Sequence, residues 1–283
     1  MNANIKILLQ SENLLDVLQG VVDVLLLNAE DLSALLQAAN AGSLSPIARV
    51  GLKAYAKDFP CNLNNAIDVV KPDEFRRSAF LARMEGYNNK FYLPLVDFPA
   101  QGAYNDDKAE ALSIYEDAAI KMFGIPNNVA SCVRYVMDEI ADNITEHSDS
   151  QRGYVCISGN AGTGIIDICI ADNGKTVLGS YNAAQGNEIS SDLEAMQAAN
   201  RGISTKNLPE AENRGYGITT SRNMLVKGLG GTFLMMSGDA VYMNSPKIQH
   251  FVQMPQGFGV KGTLVAMRIP FKNEVFNYIN FVE

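Results

Sequence analysis

The sequence predicts an α/β protein in two parts, a smaller N-terminal α/β module over 1–105 and a larger domain over 106–283. Three observations carry this. A helical stripe of apolar residues runs through 129–144, two β-branched-rich runs follow it around a glycine-containing turn, and strand-like and helix-like runs alternate over 21–95. With 283 residues, 47% hydrophobic and 19% charged, the chain can bury a sizeable core and has the length of one large or two ordinary domains.

In the N-terminal part, 21–28 reads as a buried strand and 31–39 as a helix that Asp31 or Ser33 helps to start. The run Gly42-Ser43-Leu44-Ser45-Pro46 then breaks the chain. An amphipathic helix is expected over 73–84, with Arg76 and Arg77 on a solvated face, and an edge or terminal strand over 91–95. Residues 99–107, with Pro99, Gly102 and Asp106, make the best linker.

The larger domain opens on its most informative helix. Val129, Cys132, Val133, Val136, Ile140 and Ile144 recur at three- and four-residue intervals and form a buried stripe. Glu139 and Asn143, four residues apart, stack beside that stripe on one face, where both could meet a metal-bound phosphate. Strands are expected over 154–158 and 165–171, paired as a hairpin around Asn160-Ala161-Gly162-Thr163-Gly164. The second strand empties into Asp172-Asn173-Gly174, where a carboxylate meets a residue that lets a ligand approach the backbone. The run 187–200 reads as an amphipathic helix, and Gly215 and Gly217 open another helix-like segment whose exposed amides suit phosphate oxygens. Last, Lys261-Gly262-Thr263 introduces a strand over 264–270. Taken one at a time, these blocks are a solvated helix pair, a turn, a glycine pair and a strand start.

In this order, however, they resemble the GHKL superfamily, the ATP-binding domains of sensor histidine kinases, anti-sigma serine kinases, type II topoisomerases, mismatch-repair ATPases and heat-shock chaperones. The resemblance spans about 107–270 and implies a Bergerat-type two-layer sandwich, a mixed, mostly antiparallel sheet with helices on one face. It implies that Asn143 holds Mg²⁺ and that Glu139, where hydrolysis occurs, orients or deprotonates the attacking water. Asp172, with Gly174 beside it, corresponds to the aspartate that accepts from the adenine amino group. Ser204, Thr205 and Lys206 look like the lid stretch of the kinase type, Gly215 and Gly217 like the lid glycines that cradle phosphates, and Gly262-Thr263 like the last glycine-threonine box near adenine. The N-terminal alternation vaguely resembles the STAS-like modules found near anti-sigma kinases.

Two departures stand out. The second glycine usual in the aspartate box is replaced by Thr176, which puts the local loop shape in question, and Glu146 stands where histidine kinases carry a phosphate-binding lysine. Phosphate charge would then fall to Mg²⁺, Lys206, Arg214 and backbone amides. Two activities stay open: an ATPase or protein serine/threonine kinase of the anti-sigma type, and a non-catalytic module in which ATP orders the lid over about 180–217 to present a surface to a partner. Expected ligands are ATP and Mg²⁺; expected partners are a regulatory protein and, as an open option, a second copy of the chain.

Other classes are disfavoured. A net charge of −8 argues against a broad nucleic-acid surface. No run approaches the roughly 18 apolar residues of a membrane helix, and Lys6 alone precedes the first apolar segment, so a soluble cytoplasmic protein is expected. Cys61, Cys132, Cys156 and Cys169 contain no Cys-x-x-Cys pair and read as buried thiols. Of the two histidines, His147 suits packing beside the site and His250 a late hairpin, and neither lies on a separate helix before the domain, which disfavours a histidine autokinase.

Overall fold

The computed structural model describes residues 44–55, 69–70, 86–87, 90–101, 106–184, 189–203, 217–255, 259–272 and 276–281. The strand expected at 21–28 and the helices expected at 31–39 and 73–84 lie outside these residues, as do Cys61, Arg76 and Arg77.

The first described element is α1, Pro46–Ala54, and it corrects the break expected at Ser45-Pro46. The Ser45 side chain accepts from the Ala48 N–H at 3.3 Å and Pro46 takes the first helical position, so the pair starts a helix. Short strands β1 (Val69–Val70), β2 (Gly86–Tyr87), β3 (Lys90–Tyr92) and β4 (Leu95–Pro99) follow. The single strand expected at 91–95 is thus two, parted at Leu93-Pro94, because proline has no N–H to continue a ladder. Nor is β4 at an edge: it pairs with β1 on one side and with β5 (Arg152–Asn160) on the other.

Two helices come next, α2 (Asp106–Phe123) and α3 (Asn127–His147). All six stripe residues of α3 are buried, as the period requires. Strand β5 and β6 (Ile165–Asp172) form the expected antiparallel hairpin, in register from Gly153 opposite Asp172 to Asn160 opposite Ile165. Helices α4 (Val177–Ala183), α5 (Asp192–Asn200) and α6 (Gly217–Asn223), the last running into a wide turn at Met224–Gly228, precede the final strands. These are β7 (Thr232–Gly238), β8 (Ala240–Asn244), β9 (Gln249–Gln253) and β10 (Val260–Pro270). The helix expected over 187–200 begins only at Asp192, where the Ser191 side chain caps it by accepting from the Glu194 N–H.

The strands make one mixed sheet in the order β1-β4-β5-β6-β10-β7-β8-β9, with β3 bonded to β5 and β2 to β3. Among the described residues only the β1–β4 pair is parallel. The sheet therefore runs across the boundary expected at residue 105, and β3 and β4 from the N-terminal part are hydrogen-bonded to the hairpin of the larger one. On one face Val155, Ile157, Ile166, Ile168, Ile170, Val265 and Met267 pack with the α3 stripe in the main core. The opposite face of the hairpin, with Cys156, Cys169 and Ala171, is also buried, and α1 packs over β5 and β6 without joining that core. A helix of the N-terminal part therefore covers the second face of a sheet whose first face carries α2 and α3. Cys132, Cys156 and Cys169 are free thiols in apolar surroundings, as expected, with burial pushing Cys132 up to about 12 and Cys156 up to about 11. Among the described residues no helix is long and apolar enough to cross a membrane.

Candidate functional site

A cleft of about 400 Å³ opens between α3, the ends of β6, β7 and β10, and helices α4, α5 and α6, a size that suits a small-molecule ligand. Its apolar walls come from Ile140, Ile144, Ile170, Phe233, Met235 and Val265. Of the residues singled out in the sequence, Glu139, Asn143, Asp172, Gly217 and Thr263 line this one cleft. Gly174 holds Asp172 through its N–H. Ser204, Thr205, Lys206, Arg214 and Gly215 lie outside the described residues.

The four-residue spacing on α3 gives Asn143 a definite orientation. Its Nδ2 donates to the Glu139 carbonyl at 2.6 Å, which commits the amide nitrogen to the helix and leaves Oδ1 as an acceptor for the cleft. Glu139 lies against the start of α6, where a β-carbon added at Gly217 would collide with its carboxylate. Glycine at 217 is what allows that approach. On the same side burial and the Glu139 charge push the Tyr135 hydroxyl up to about 12, and Thr220 of α6 stands beside it.

Asp172 ends β6 and is 1% exposed. Its Oδ1 accepts the Gly174 N–H at 2.7 Å, while Oδ2 is buried with no hydrogen-bond partner. Burial raises its pKa to about 7, against the pull of the Gly174 N–H, the Thr263 N–H and the Ser148 hydroxyl, none of which gives Oδ2 a partner. The turn after it is seated on the chain that leaves α3. The Ser150 hydroxyl donates to Asn173 Oδ1 at 3.0 Å, and any side chain at Gly174 would collide with the Ser148 carbonyl. From the other side β10 closes in through a bulge at Gly262. With a φ of +81° there, and only 2.7 Å between Asp172 Oδ1 and the place a β-carbon would take, the position admits glycine alone. Thr263 follows directly and lines the cleft.

The loop after Gly174 takes a defined shape without a second glycine. The Thr176 side chain accepts from the Gly179 N–H at 3.1 Å and caps α4.

Lys175, Tyr181 and Asp142 at the cleft, and Ser237 behind it, escaped the sequence reading, whereas Glu146 and His147 lie at the cleft as it placed them. Lys175 pairs with Asp149; its position directly after the Asp172 turn was the available clue. Tyr181, 2% exposed, donates from its hydroxyl to the Ile203 carbonyl and so ties α4 to the chain that leaves α5. Ser237 is buried in β7 behind the wall, where a serine inside an apolar strand gives no warning of a role. Asp142 and Glu146 add negative charge to the rim, with Asp142 paired to Lys108 and Glu146 placed 3.8 Å from His147 Nε2. His147 lines the cleft at the end of α3, and His250 lies exposed on β9 of the expected hairpin.

The described lining is therefore acidic, with Glu139, Asp142, Glu146 and Asp172 against Lys175 and His147. Among the described residues no group of three or more His, Cys, Asp or Glu side chains is placed to hold a metal ion by itself. What the cleft offers is apolar walls, a buried carboxylate oxygen without a partner, an amide oxygen and a second carboxylate. Comparison with protein-family models, curated proteins and solved structures finds no match for this chain.

Proposed function

We propose that the chain is a Mg-ATP-binding regulatory protein with a histidine kinase-like, Bergerat-type ATPase domain, acting as a protein serine kinase or slow ATPase of the anti-sigma type on a protein partner. The observation that carries the reading is Asp172 Oδ2, a buried acceptor without a partner at the end of an apolar slot. Such an atom is costly unless a ligand donor meets it, and an exocyclic amino group on a flat heterocycle is the donor that fits. Glu139 and Asn143 line the same slot from α3, and Gly217 lets the start of α6 come against Glu139.

The donor set also fits Mg²⁺. This ion, when bound, neutralises triphosphate charge, and it keeps several waters and phosphate oxygens in its shell, so one amide oxygen is a sufficient protein contribution. Asn143 Oδ1 would supply it. Since the described rim is acidic, a bare triphosphate would be repelled and the ion becomes a condition of binding. Glu139 would hold or accept a proton from a water or a partner hydroxyl placed beside it.

Calorimetry with ATP, with and without Mg²⁺, tests this. Micromolar affinity, about 8 kcal/mol, is expected with the ion and a loss of tenfold or more without it. The Asn143→Ala protein should lose the dependence on the ion. Unchanged Mg-ATP affinity in that variant would remove the proposal. Phosphate release and phosphoprotein formation, compared between wild type and Glu139→Gln, then separate turnover from binding alone.

A further inference from the structure

We propose that Ser237, which does not line the cleft, is a positioning residue that fixes Thr263 as a hydrogen-bond acceptor and makes this end of the cleft selective for ligands carrying an amino group there. The inference rests on the nucleotide reading and names its base class, a 6-aminopurine in preference to a 6-oxopurine.

The number of available protons sets the direction of each bond. Ser237 is 1% exposed and its Oγ touches three groups: the Val177 N–H at 2.9 Å, the Gly262 carbonyl at 2.9 Å and the Thr263 hydroxyl at 3.1 Å. A backbone N–H only donates and a carbonyl only accepts, whereas a hydroxyl has one proton and two lone pairs. The Ser237 proton goes to the Gly262 carbonyl, which can only accept and lies closer, at 2.9 Å, than the Thr263 hydroxyl that can act either way. Val177 fills one lone pair. The remaining lone pair takes the proton of Thr263, so the contact between the two hydroxyls has one direction, with Thr263 donating.

Thr263 then has no proton left for the cleft and presents lone pairs only. Gly262 packs against Asp172, which lines the cleft with Thr263, and the Asp172 Oδ2 that has no partner is, in the ionised carboxylate, an acceptor as well. Two acceptors at one end match the two hydrogens of an amino group. A carbonyl oxygen in the same place would face lone pairs from both sides. The selectivity is set from behind the wall, since without the Ser237 hydroxyl Thr263 could rotate and donate.

The test compares Mg-ATP with Mg-GTP by calorimetry for wild type, Ser237→Ala, Thr263→Val and the double variant. Wild type should prefer ATP by about 100-fold or more, the effect of two opposed polar contacts. In Ser237→Ala that ratio should fall about tenfold, and adding Ser237→Ala to Thr263→Val should move it no further, because the first acts through the second. A merely structural Ser237 would weaken both nucleotides alike and leave the ratio in place, which overturns the assignment. Should Ser237→Ala fail to fold, Thr263→Val decides alone: an unchanged ratio overturns the acceptor role and a tenfold fall upholds it. Equal wild-type affinity for the two nucleotides overturns this inference while the nucleotide reading stands; binding of neither overturns both.

Discussion

Asp172 and Glu116 are both almost fully buried, at 1% and 2% exposure, and each keeps one carboxyl oxygen without a partner, Oδ2 in the first and Oε1 in the second. Burial raises both, Asp172 to about 7 and Glu116 to about 9. Their surroundings differ. Asp172 stands at the wall of a cleft, with the Gly174 N–H fixed on its other oxygen and glycines on either side of it where side chains would collide. Glu116 sits between α2 and α3, away from the cleft. Asp138 and Asp117 oppose its charge, and Arg134, 3.9 Å away, is drawn instead to Asp117 at 2.5 Å. A buried acid that backbone donors hold near neutrality, facing an opening, is poised to meet a donor from outside. One that burial, reinforced by neighbouring acids, keeps protonated is a neutral packing group.

The surroundings of Asp172 are most vulnerable at Gly262. An alanine there would be forced into a left-handed φ and against Asp172, so Gly262→Ala should cost the fold about 1–3 kcal/mol and reduce nucleotide affinity by more than about 100-fold, moving Asp172 and Thr263 together. Urea midpoints and calorimetry read the two effects. Wild-type affinity in this variant would mean that β10 does not shape the site. Next comes Asp172→Asn, which keeps the shape and should weaken an adenine nucleotide by about 1.5–3 kcal/mol, the range for a hydrogen bond to a charged group. Equal losses for ATP and GTP would show that Asp172 does not read the base.

How far the molecule was legible from its sequence follows the same division between local and distant causes. Helical period alone placed the α3 stripe, and with it Glu139 and Asn143; β-branched runs around a turn placed the hairpin and hence Asp172 at its end. These are contacts within a few residues or one turn. The pairing of β4 with β5 joins Val96 to Val155, far apart along the chain, and no local pattern specifies it. Yet one clue was available: 166–171 is apolar on both strand faces except at Asp167, which is how a strand covered on both sides reads, and α1 is the cover. Asp167 itself is answered by Arg268 across the ladder, with 2.7 and 2.8 Å bonds. Ser237 was illegible because its importance lies in partners from separate elements, Val177 on α4 and Gly262 and Thr263 on β10.

A smaller effect separates the two acids by pH. If a ligand amino group must meet ionised Asp172, binding favours the charged form, and affinity should rise as pH passes upward through about 7. For an adenine nucleoside, which has no phosphate to titrate, the gain from about pH 6 to about pH 8 should be about tenfold, and Asp172→Asn should flatten it. A flat wild-type profile would mean that the aspartate binds its ligand in either state.

The smallest effect lies at Glu116, where the sign is opposite to that of a salt-bridged carboxylate. Its folded pKa, about 9, stands above the ordinary glutamate value. The native state therefore keeps a proton that the unfolded chain has released, and stability falls as pH rises from the unfolded pKa towards 9. Glu116→Gln replaces the neutral acid with a neutral amide of the same shape and removes that loss. The variant should gain on wild type by about 1 kcal/mol between about pH 7 and about pH 8 in urea unfolding, with adenine nucleoside affinity unchanged. A stability difference that stays level across that interval would mean Glu116 is ionised in the fold, with Arg134 as its true partner; the contrast with Asp172 would then lie in who supplies the counter-charge, not in whether one is needed.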